Sequence, residues 1–356
     1  MSLSEHYAGR TVLVTGHTGF KGSWLCAWLT RLGARVVGFS LPPEGQPNLF
    51  ELAELERQMV HLTGDIRSID ALTSAFDAHR PHTVFHMAAQ SLVRRSYDEP
   101  VATFAINALG TAHVLEACRH TDSVAAVVIV TTDKCYENRE WLWAYRENER
   151  LGGHDAYSAS KACAEIVTSA YRSSFFSEGA RVASARAGNV IGGGDWARDR
   201  IVPDIVRAAA AGATAQIRNP LAIRPWQHVL EPLAGYLLLG SRLANDGARY
   251  AQAWNFGPKE EEFVTVEALA RRLSAELGKG AIQLSPPDPT AVHEAHTLRL
   301  DSTKARTILG WQPRLSVERA IDLTARWYRA WLDDPGSARA VLDAQIADYH
   351  AQLEPP

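Results

Sequence analysis

Cysteine is scarce, with four in 356 residues, at Cys26, Cys118, Cys135 and Cys163, and no CxxC pair among them. That scarcity argues against a disulfide framework or a cysteine-rich zinc site and leaves buried or incidental thiols. Only Cys135 stands in a conspicuous place, among charged residues at the end of an apolar run. Blocks of five or more like charges are also missing, and the net charge is −3. Neither nucleic acid nor an anionic membrane surface is therefore expected as a partner. The opening MSLSEHYAGR lacks the apolar core of a signal peptide, and no apolar run is expected to reach the ~18 residues of a membrane span. A cytoplasmic protein is expected. Repeats, low-complexity tracts and Pro-rich linkers are absent too, so the parts of the chain should pack closely.

What is present is alternation. Runs rich in Val, Ile and Ala recur at TVLVTG (from Thr11), ARVVGFS (from Ala34), QMVHLTGD (from Gln58), TVFHMAA (from Thr83), VAAVVIVTTD (from Val124) and RVASARAGNVI (from Arg181). Helical patterns lie between them, such as GSWLCAWLTRLG with an apolar face of Trp24, Leu25, Trp28, Leu29 and Leu32 before a terminating Gly33. Strand and helix in alternation predict an α/β fold, a Rossmann-type doubly wound parallel sheet with helices on both faces. The pattern loosens after roughly residue 190. Residues 1–190 are read as the dinucleotide-binding domain, with 221–260 contributing a strand and a helix. Residues 191–220 and 261–356 are read as a smaller α/β substrate domain.

Directly after the first strand comes GHTGFKG, namely Gly16, His17, Thr18, Gly19, Phe20, Lys21 and Gly22. Between a strand and a helix, such glycines permit a tight turn and close backbone approach, and the helix N-terminus offers free N–H groups to a pyrophosphate. The second strand ends at Ser40, where an acidic residue usually meets the adenosine ribose; a hydroxyl serves as donor and acceptor, and no arginine follows to take an extra phosphate. NAD is expected rather than NADP. Asp65, after the third strand, is read either as an acceptor for the adenine amino group or as the N-cap of the following helix.

Tyr157 and Lys161, in GGHDAYSASK, stand four apart and share one helical face. Ionising a tyrosine of pKa ~10 near neutrality takes about 4 kcal/mol, which an ammonium ~4 Å away supplies at an effective dielectric near 20. Tyr157 is thus expected to act as a base on a carbinol, with Thr132 hydrogen-bonded to the same oxygen.

Together with the glycine turn, these residues resemble the extended short-chain dehydrogenase/reductase family over nearly the whole chain. The blocks TTDKCYENREW, LGGHDAYSASK, AGNVIGGGDWARDRIVPD, IRPWQHV and LGWQP are similar in particular to nucleotide-sugar 4,6-dehydratases acting on CDP-glucose. The resemblance implies about seven strands, a tightly held NAD that ends each cycle unchanged, and a place in deoxysugar biosynthesis such as that of O-antigen lipopolysaccharide. It implies a homo-oligomer, with helices near 102–120 and 157–176 as the pairing surface. It also implies an answer to why so apolar a strand ends in Thr132, Asp133 and Lys134. Thr132 orients the C4 oxygen, Asp133 is the acid at the C6 oxygen, and Lys134 meets the C5 proton.

Lys134 stands where related dTDP-glucose dehydratases carry a glutamate. A lysine of ordinary pKa ~10.4 is almost wholly cationic at pH 7, so a base role demands burial or neighbouring cations, and an ion pair with Asp133 opposes both required forms. Further cofactor contacts are implied at Ile66, Ala88, Ala89, Gln90, Asn107 and Thr131, and substrate contacts at Gln90, Ser91, Arg94, Thr132, Asn189, Arg200, Arg224, His228 and Glu294. Asn107 is also read as holding backbone near the active site. HEAH, His293 to His296, lacks the i,i+4 histidine pair of a helical zinc site, and no metal is expected. Trp141, Trp143 and Tyr145 either stack on a base or only pack. A dTDP-glucose or GDP-mannose dehydratase, a UDP-sugar 4-epimerase and a nucleotide-sensing binding protein are the alternatives.

Overall fold

The computed structural model describes residues 2–259, 263–286 and 296–353. The apolar runs become β1 (Thr11–Thr15), β2 (Arg35–Ser40), β3 (Val60–Thr63), β4 (Thr83–His86), β5 (Ala126–Val130) and β6 (Arg181–Ala187). With the strand Ala253–Phe256 they form one seven-stranded sheet in the order Ala253–Phe256, β6, β5, β4, β1, β2, β3. Every neighbouring pair is parallel. Alternate side chains feed two cores: Val12, Val14 and Val128 join Trp24 and Trp28 on one face, while Leu13, Val127 and Ile129 join Leu72, Phe76 and Val114 on the other. All five residues of β5 are buried, which is why that run reads as continuous apolar sequence.

From β1 the chain winds outward through β2 and β3, then crosses back to β4 and winds the other way. That reversal opens a crevice beyond the strand C-termini, between β1 and β4, where doubly wound sheets present residues to ligands. A smaller layer lies beyond it, built on three two-stranded pairings, Val190–Ile191 with Gln227–His228, Ile223–Arg224 with Val264–Thr265, and Thr214–Ile217 with Ala281–Leu284. Helices Ile201–Ala210, Val266–Leu277 and Val317–Asp333 accompany them.

One segment departs from expectation. The continuous helical stretch Pro100–Arg119 is long and apolar enough by length and composition to cross a bilayer. Its polar side chains are turned inward instead: Asn107 and Thr111 are buried and hydrogen-bonded within the protein. It reads as a helix packed on the sheet.

A buried carboxyl ties the C-terminal region to the sheet. In the helix Leu230–Asp246, Glu231 Oε1 accepts from the amides of Arg314 and Leu315 (2.9 and 2.7 Å), and Oε2 accepts from the Tyr349 hydroxyl (2.8 Å). Burial outweighs these donors and pushes the carboxyl up to about 7. A carboxyl raised on folding stabilises fully below its unfolded pKa of about 4.5 and loses that contribution as pH rises to about 7. Glu231→Gln keeps an oxygen for the Arg314 and Leu315 amides, turns its NH₂ to the Tyr349 hydroxyl oxygen as a donor, and removes the charge. Thermal scans are expected to show the parent losing stability across that pH window by on the order of 3 kcal/mol, with the Gln variant flat across it and the more stable protein at pH ~8.

Candidate active site

The glycine turn fits a dinucleotide on geometric grounds. Gly16 has φ +74°, and a Cβ there would fall 2.7 Å from the Ala88 backbone; one at Gly22 would fall 2.1 Å from the Gly16 carbonyl. Only glycine permits this close packing of the turn on the segment after β4. The helix Phe20–Arg31 has Gly19 as its N-cap and hence no side chain closing its first N–H groups, leaving them for an anion. Thr18 Oγ1 and Ser40 Oγ lie 2.7 Å apart, so the hydroxyl at the end of β2 belongs to the cradle. His17 is enclosed, with Nε2 2.6 Å from His61 Nδ1. Lys21 turns inward from the same helix and donates to the Tyr236 hydroxyl at 3.0 Å. Its burial, beside the charges of Lys161 and Arg200, pushes the amine down to about 7.

Asp65 is not the helix N-cap. Ser68 caps Ile69–His79, accepting from the Ala71 amide, while Asp65 accepts from the amide and guanidinium of Arg67. Ile66 is buried against Gly110. After β4, Ala88 donates its amide to Thr15 Oγ1 at 3.2 Å, with Ala89 next to it and Gln90 held by Asn107. Asn107 accepts from the Gln90 amide and donates to its carbonyl, both at 2.9 Å. It also donates to Ser160 Oγ, which in turn donates to the Tyr157 carbonyl at 2.7 Å. Asn107 thus joins the cofactor segment to the Tyr157 helix, from a π-helical turn at Ala105–Leu109, a distortion common at functional sites. The Gln90 side chain is spent on its own loop, bonded to Leu92 and Thr103.

The chain after β5 makes a short 3₁₀ turn, Asp133–Cys135, with Thr132 as its cap. Thr132 Oγ1 donates to Asp133 Oδ1 at 3.0 Å, and Lys134 Nζ lies 3.8 Å from the same oxygen. Asp133 is fully buried and its Oδ2 has no partner among the described residues, an opening that suits a ligand hydroxyl. Cys135 is sealed among Tyr136, Tyr145 and Leu300, and burial pushes its thiol far up; such a thiol is inert.

Asp155 caps the helix Ala156–Phe175 by accepting from the Ser158 amide at 2.9 Å, and this start sets Tyr157 and Lys161 on the buried side. Electrostatics differ from the expectation. Burial pushes the Tyr157 phenol up to about 12, against opposing pulls from a Thr132 hydrogen bond and the Arg200 charge. The Lys161 ammonium is occupied elsewhere, donating to the Val130 carbonyl at 3.2 Å, and its burial lowers it to about 8. The resting site therefore holds a phenol. Desolvation outweighs the neighbouring charge because the hydroxyl is enclosed.

On the substrate side, Arg200 pairs with Asp195 (3.0 Å) and donates to Ser91 Oγ (3.0 Å), which brings Ser91 and Arg200 together, and the Arg200 charge acts on Tyr157. Arg94 faces Asp199 at 3.7 Å. Asn189 presents a buried Oδ1 without a partner among the described residues. Arg224 is buried and donates to the carbonyls of Ile223 and His296. His228 is enclosed edge-on to Trp24, and burial drives its imidazole down to about 3, so it stands as a neutral core residue instead of a phosphate cation. Glu294 and His293 lie outside the described residues. Trp141 stacks on Tyr145, which stacks on Tyr136, at 5.7 and 5.3 Å. A cavity of about 610 Å³ opens beside Trp143, Phe263 and Arg299, away from the catalytic group.

Sequence reasoning missed the support beneath the site. Thr131, Ser184 and Arg186 all bond to buried Glu165, which lies one turn beyond Lys161. Its spacing from Tyr157 and Lys161 was the available signal. Tyr236, 215 residues from Lys21, had none.

A dinucleotide cradle at the switch point, with Thr132, Tyr157 and Lys161 gathered at the end of β5, defines a short-chain dehydrogenase/reductase of the extended kind. The chain matches the sequence pattern of the GDP-mannose 4,6 dehydratase family over residues 13–324 and belongs to that family. It is 48% identical over 332 residues to a CDP-glucose 4,6-dehydratase of Salmonella typhimurium, covering 92% of each chain. A UDP-glucose 4-epimerase of Mycolicibacterium smegmatis is 27% identical, over 89% of this chain and 98% of that one. Among solved structures, a Thermus thermophilus UDP-glucose 4-epimerase in complex with NAD superposes with a TM-score of 0.77 at 26% identity, covering 90% of this chain and 99% of that one. A dTDP-glucose 4,6-dehydratase from Streptomyces venezuelae with NAD bound gives 0.77 at 24% identity, over 93% and 99%.

Proposed function

We propose that the chain is a CDP-glucose 4,6-dehydratase, converting CDP-glucose to CDP-4-keto-6-deoxyglucose and water in deoxysugar biosynthesis. The carrying observation is the buried Asp133 carboxyl at the end of β5, with Thr132 Oγ1 and Lys134 Nζ 3.0 and 3.8 Å from its Oδ1, supported by the 48% identity to the Salmonella enzyme. NAD, held by the glycine turn, supplies the hydride acceptor for C4 and later the hydride donor for C6. Thr132 orients the C4 oxygen, and Tyr157 takes the proton of the C4 hydroxyl. Once C4 is a ketone, the C5 hydrogen is acidic enough for a side chain to remove. Lys134 takes that proton while Asp133 protonates the departing C6 hydroxyl.

Mixing the protein with CDP-, dTDP-, UDP- and GDP-sugars and measuring mass is the direct test. Loss of one water from CDP-glucose alone is expected. An unchanged mass with inverted C4 would instead make the chain an epimerase.

Lys134→Ala is expected to reduce nicotinamide in a single turnover yet fail to exchange C5 hydrogen with deuterium from solvent, with overall turnover down about 10²-fold or more. Exchange at the parent rate would leave Lys134 a structural residue.

A cytoplasmic homo-oligomer is part of the same reading. Val101, Leu109 and Ile166 remain exposed on the paired helices 100–119 and 156–175 (82%, 53% and 57%), apolar surface that a second copy would cover. Light scattering is expected to find the parent larger than one chain and Ile166→Glu shifted toward the monomer. A monomeric parent contradicts this.

A further inference from the structure

Beneath the site, one buried histidine stands between the glycine turn and the Tyr157 helix and belongs to neither. His86 ends β4 with 2% of its surface exposed. Its Nδ1 lies 2.7 Å from Thr15 Oγ1, at the end of β1, and its Nε2 lies 3.1 Å from Thr111 Oγ1. Thr15 and Thr111 are buried as well. Burial, with the Lys161 charge behind it, pushes the imidazole down to about 3. The ring is therefore neutral at pH 7 and carries its one proton on a single nitrogen.

The neighbours decide which nitrogen. Thr111 has one hydroxyl proton and gives it to the Asn107 carbonyl at 2.6 Å, so toward His86 it can only accept. Nε2 therefore carries the hydrogen. Thr15 Oγ1 accepts from the amides of Met87 and Ala88 at 3.1 and 3.2 Å, which fills its lone pairs and leaves its proton for Nδ1. Beyond Thr111 the direction is kept. Asn107 Oδ1 accepts from the Gln90 amide, so its side-chain N–H groups are the ones that meet the Gln90 carbonyl and Ser160 Oγ, and Ser160 donates to the Tyr157 carbonyl. From Thr15 through His86, Thr111, Asn107 and Ser160 to Tyr157 the bonds all point one way, with every polar hydrogen of the linking side chains used. No slack is left for the other tautomer.

Such a string sets position, because moving one member leaves a buried donor or acceptor unsatisfied on each side of it. It joins the strand that leads into the glycine turn to the π-helical turn of Asn107 and to the first turn of the helix Ala156–Phe175. We propose that His86, as the Nε2–H tautomer, is a positioning residue that aligns Tyr157 with the cofactor turn through Thr111, Asn107 and Ser160. The inference rests on the reading of Tyr157 as the group that takes the C4 proton. Both ring nitrogens are spent within the protein, so His86 acts only through its neighbours. Its Thr15 arm serves the cofactor turn, and its Thr111 arm serves catalysis.

The two arms can be read separately. Turnover of CDP-glucose at saturating NAD reads the Thr111 arm, and NAD affinity, from quenching of tryptophan fluorescence, reads the Thr15 arm. Thr111→Val removes the acceptor for Nε2–H and the donor to Asn107. It is expected to bind NAD as the parent does and to turn over about 10²-fold more slowly, while Thr111→Ser, which keeps the hydroxyl, restores the rate. In His86→Gln an amide N–H reaches the place of Nε2, and in His86→Asn an amide oxygen reaches the place of Nδ1. The first is expected to keep the rate and weaken NAD binding, the second the reverse. Thr111→Val at the parent rate, or Thr111→Ser as slow as Thr111→Val, overturns the proposal and leaves the dehydratase reading intact. Equal losses of rate and NAD affinity in Thr111→Val overturn it too, since damage to the fold would produce them. The Thr111 pair decides even where the His86 variants do not fold. An unaltered chain that removes water from none of the nucleotide sugars named above overturns the dehydratase reading and this proposal with it.

Discussion

Tyr157→Phe is expected to lower turnover of CDP-glucose by about 10³- to 10⁴-fold while leaving the fold intact. The phenol, which burial pushes up to about 12, is the group proposed to take the proton of the C4 hydroxyl. Phenylalanine fills the same space and cannot take it. No neighbour replaces it. Lys161 is bonded to the Val130 carbonyl, and Asp133 is bonded to Thr132 on its far side.

Rapid mixing of the Phe variant with CDP-glucose is therefore expected to show no rise in reduced-nicotinamide absorbance, whereas Lys134→Ala shows one. That contrast separates loss of C4 oxidation from loss of elimination, which steady-state rates alone do not. A Phe variant that turns over like the parent removes the basis of the proposed chemistry.

The parts of this site that are legible in the sequence are the local ones. The glycine turn declares itself because its neighbours in sequence are its neighbours in space, and the Tyr157 and Lys161 pair because four residues make one helical turn. The strand runs are legible because a sheet buried on both faces needs continuous apolar sequence. Long-range choices are not legible. Nothing near His228 reveals that Trp24 will cover it, and nothing near Lys21 points to Tyr236. The direction of the Tyr157 shift follows from how far the phenol is desolvated, a property of the packed protein that spacing to Lys161 leaves out.

The second large effect is on stability. Glu165→Ala is expected to cost about 3–5 kcal/mol, because the Arg186 guanidinium stays buried without its counter-ion. Both side chains of the pair are almost fully enclosed at a separation of 2.8 Å. Burial by itself would raise the Glu165 carboxyl, but the Arg186 charge and the hydrogen bonds from Arg186, Ser184 and Thr131 hold it below its usual range. A carboxyl depressed on folding stabilises above its unfolded pKa and loses that contribution as pH falls through its folded value. The Ala variant should thus differ most from the parent at neutral pH and least in acid. With unfolding entropy near ~2.1 cal/mol/K per residue, the cost lowers Tm by roughly 5 °C for a chain of 356 residues. Pairing Glu165→Leu with Arg186→Met removes both charges and is expected to recover most of the loss. Catalysis should not recover with it. Thr131, immediately before Thr132, bonds to Glu165, and Arg186 also holds the Tyr136 hydroxyl at 2.8 Å, so the apolar pair restores the core while leaving both flanks of the Asp133 turn unanchored. A double variant with parental Tm and parental turnover would mean that the ion pair serves the fold alone.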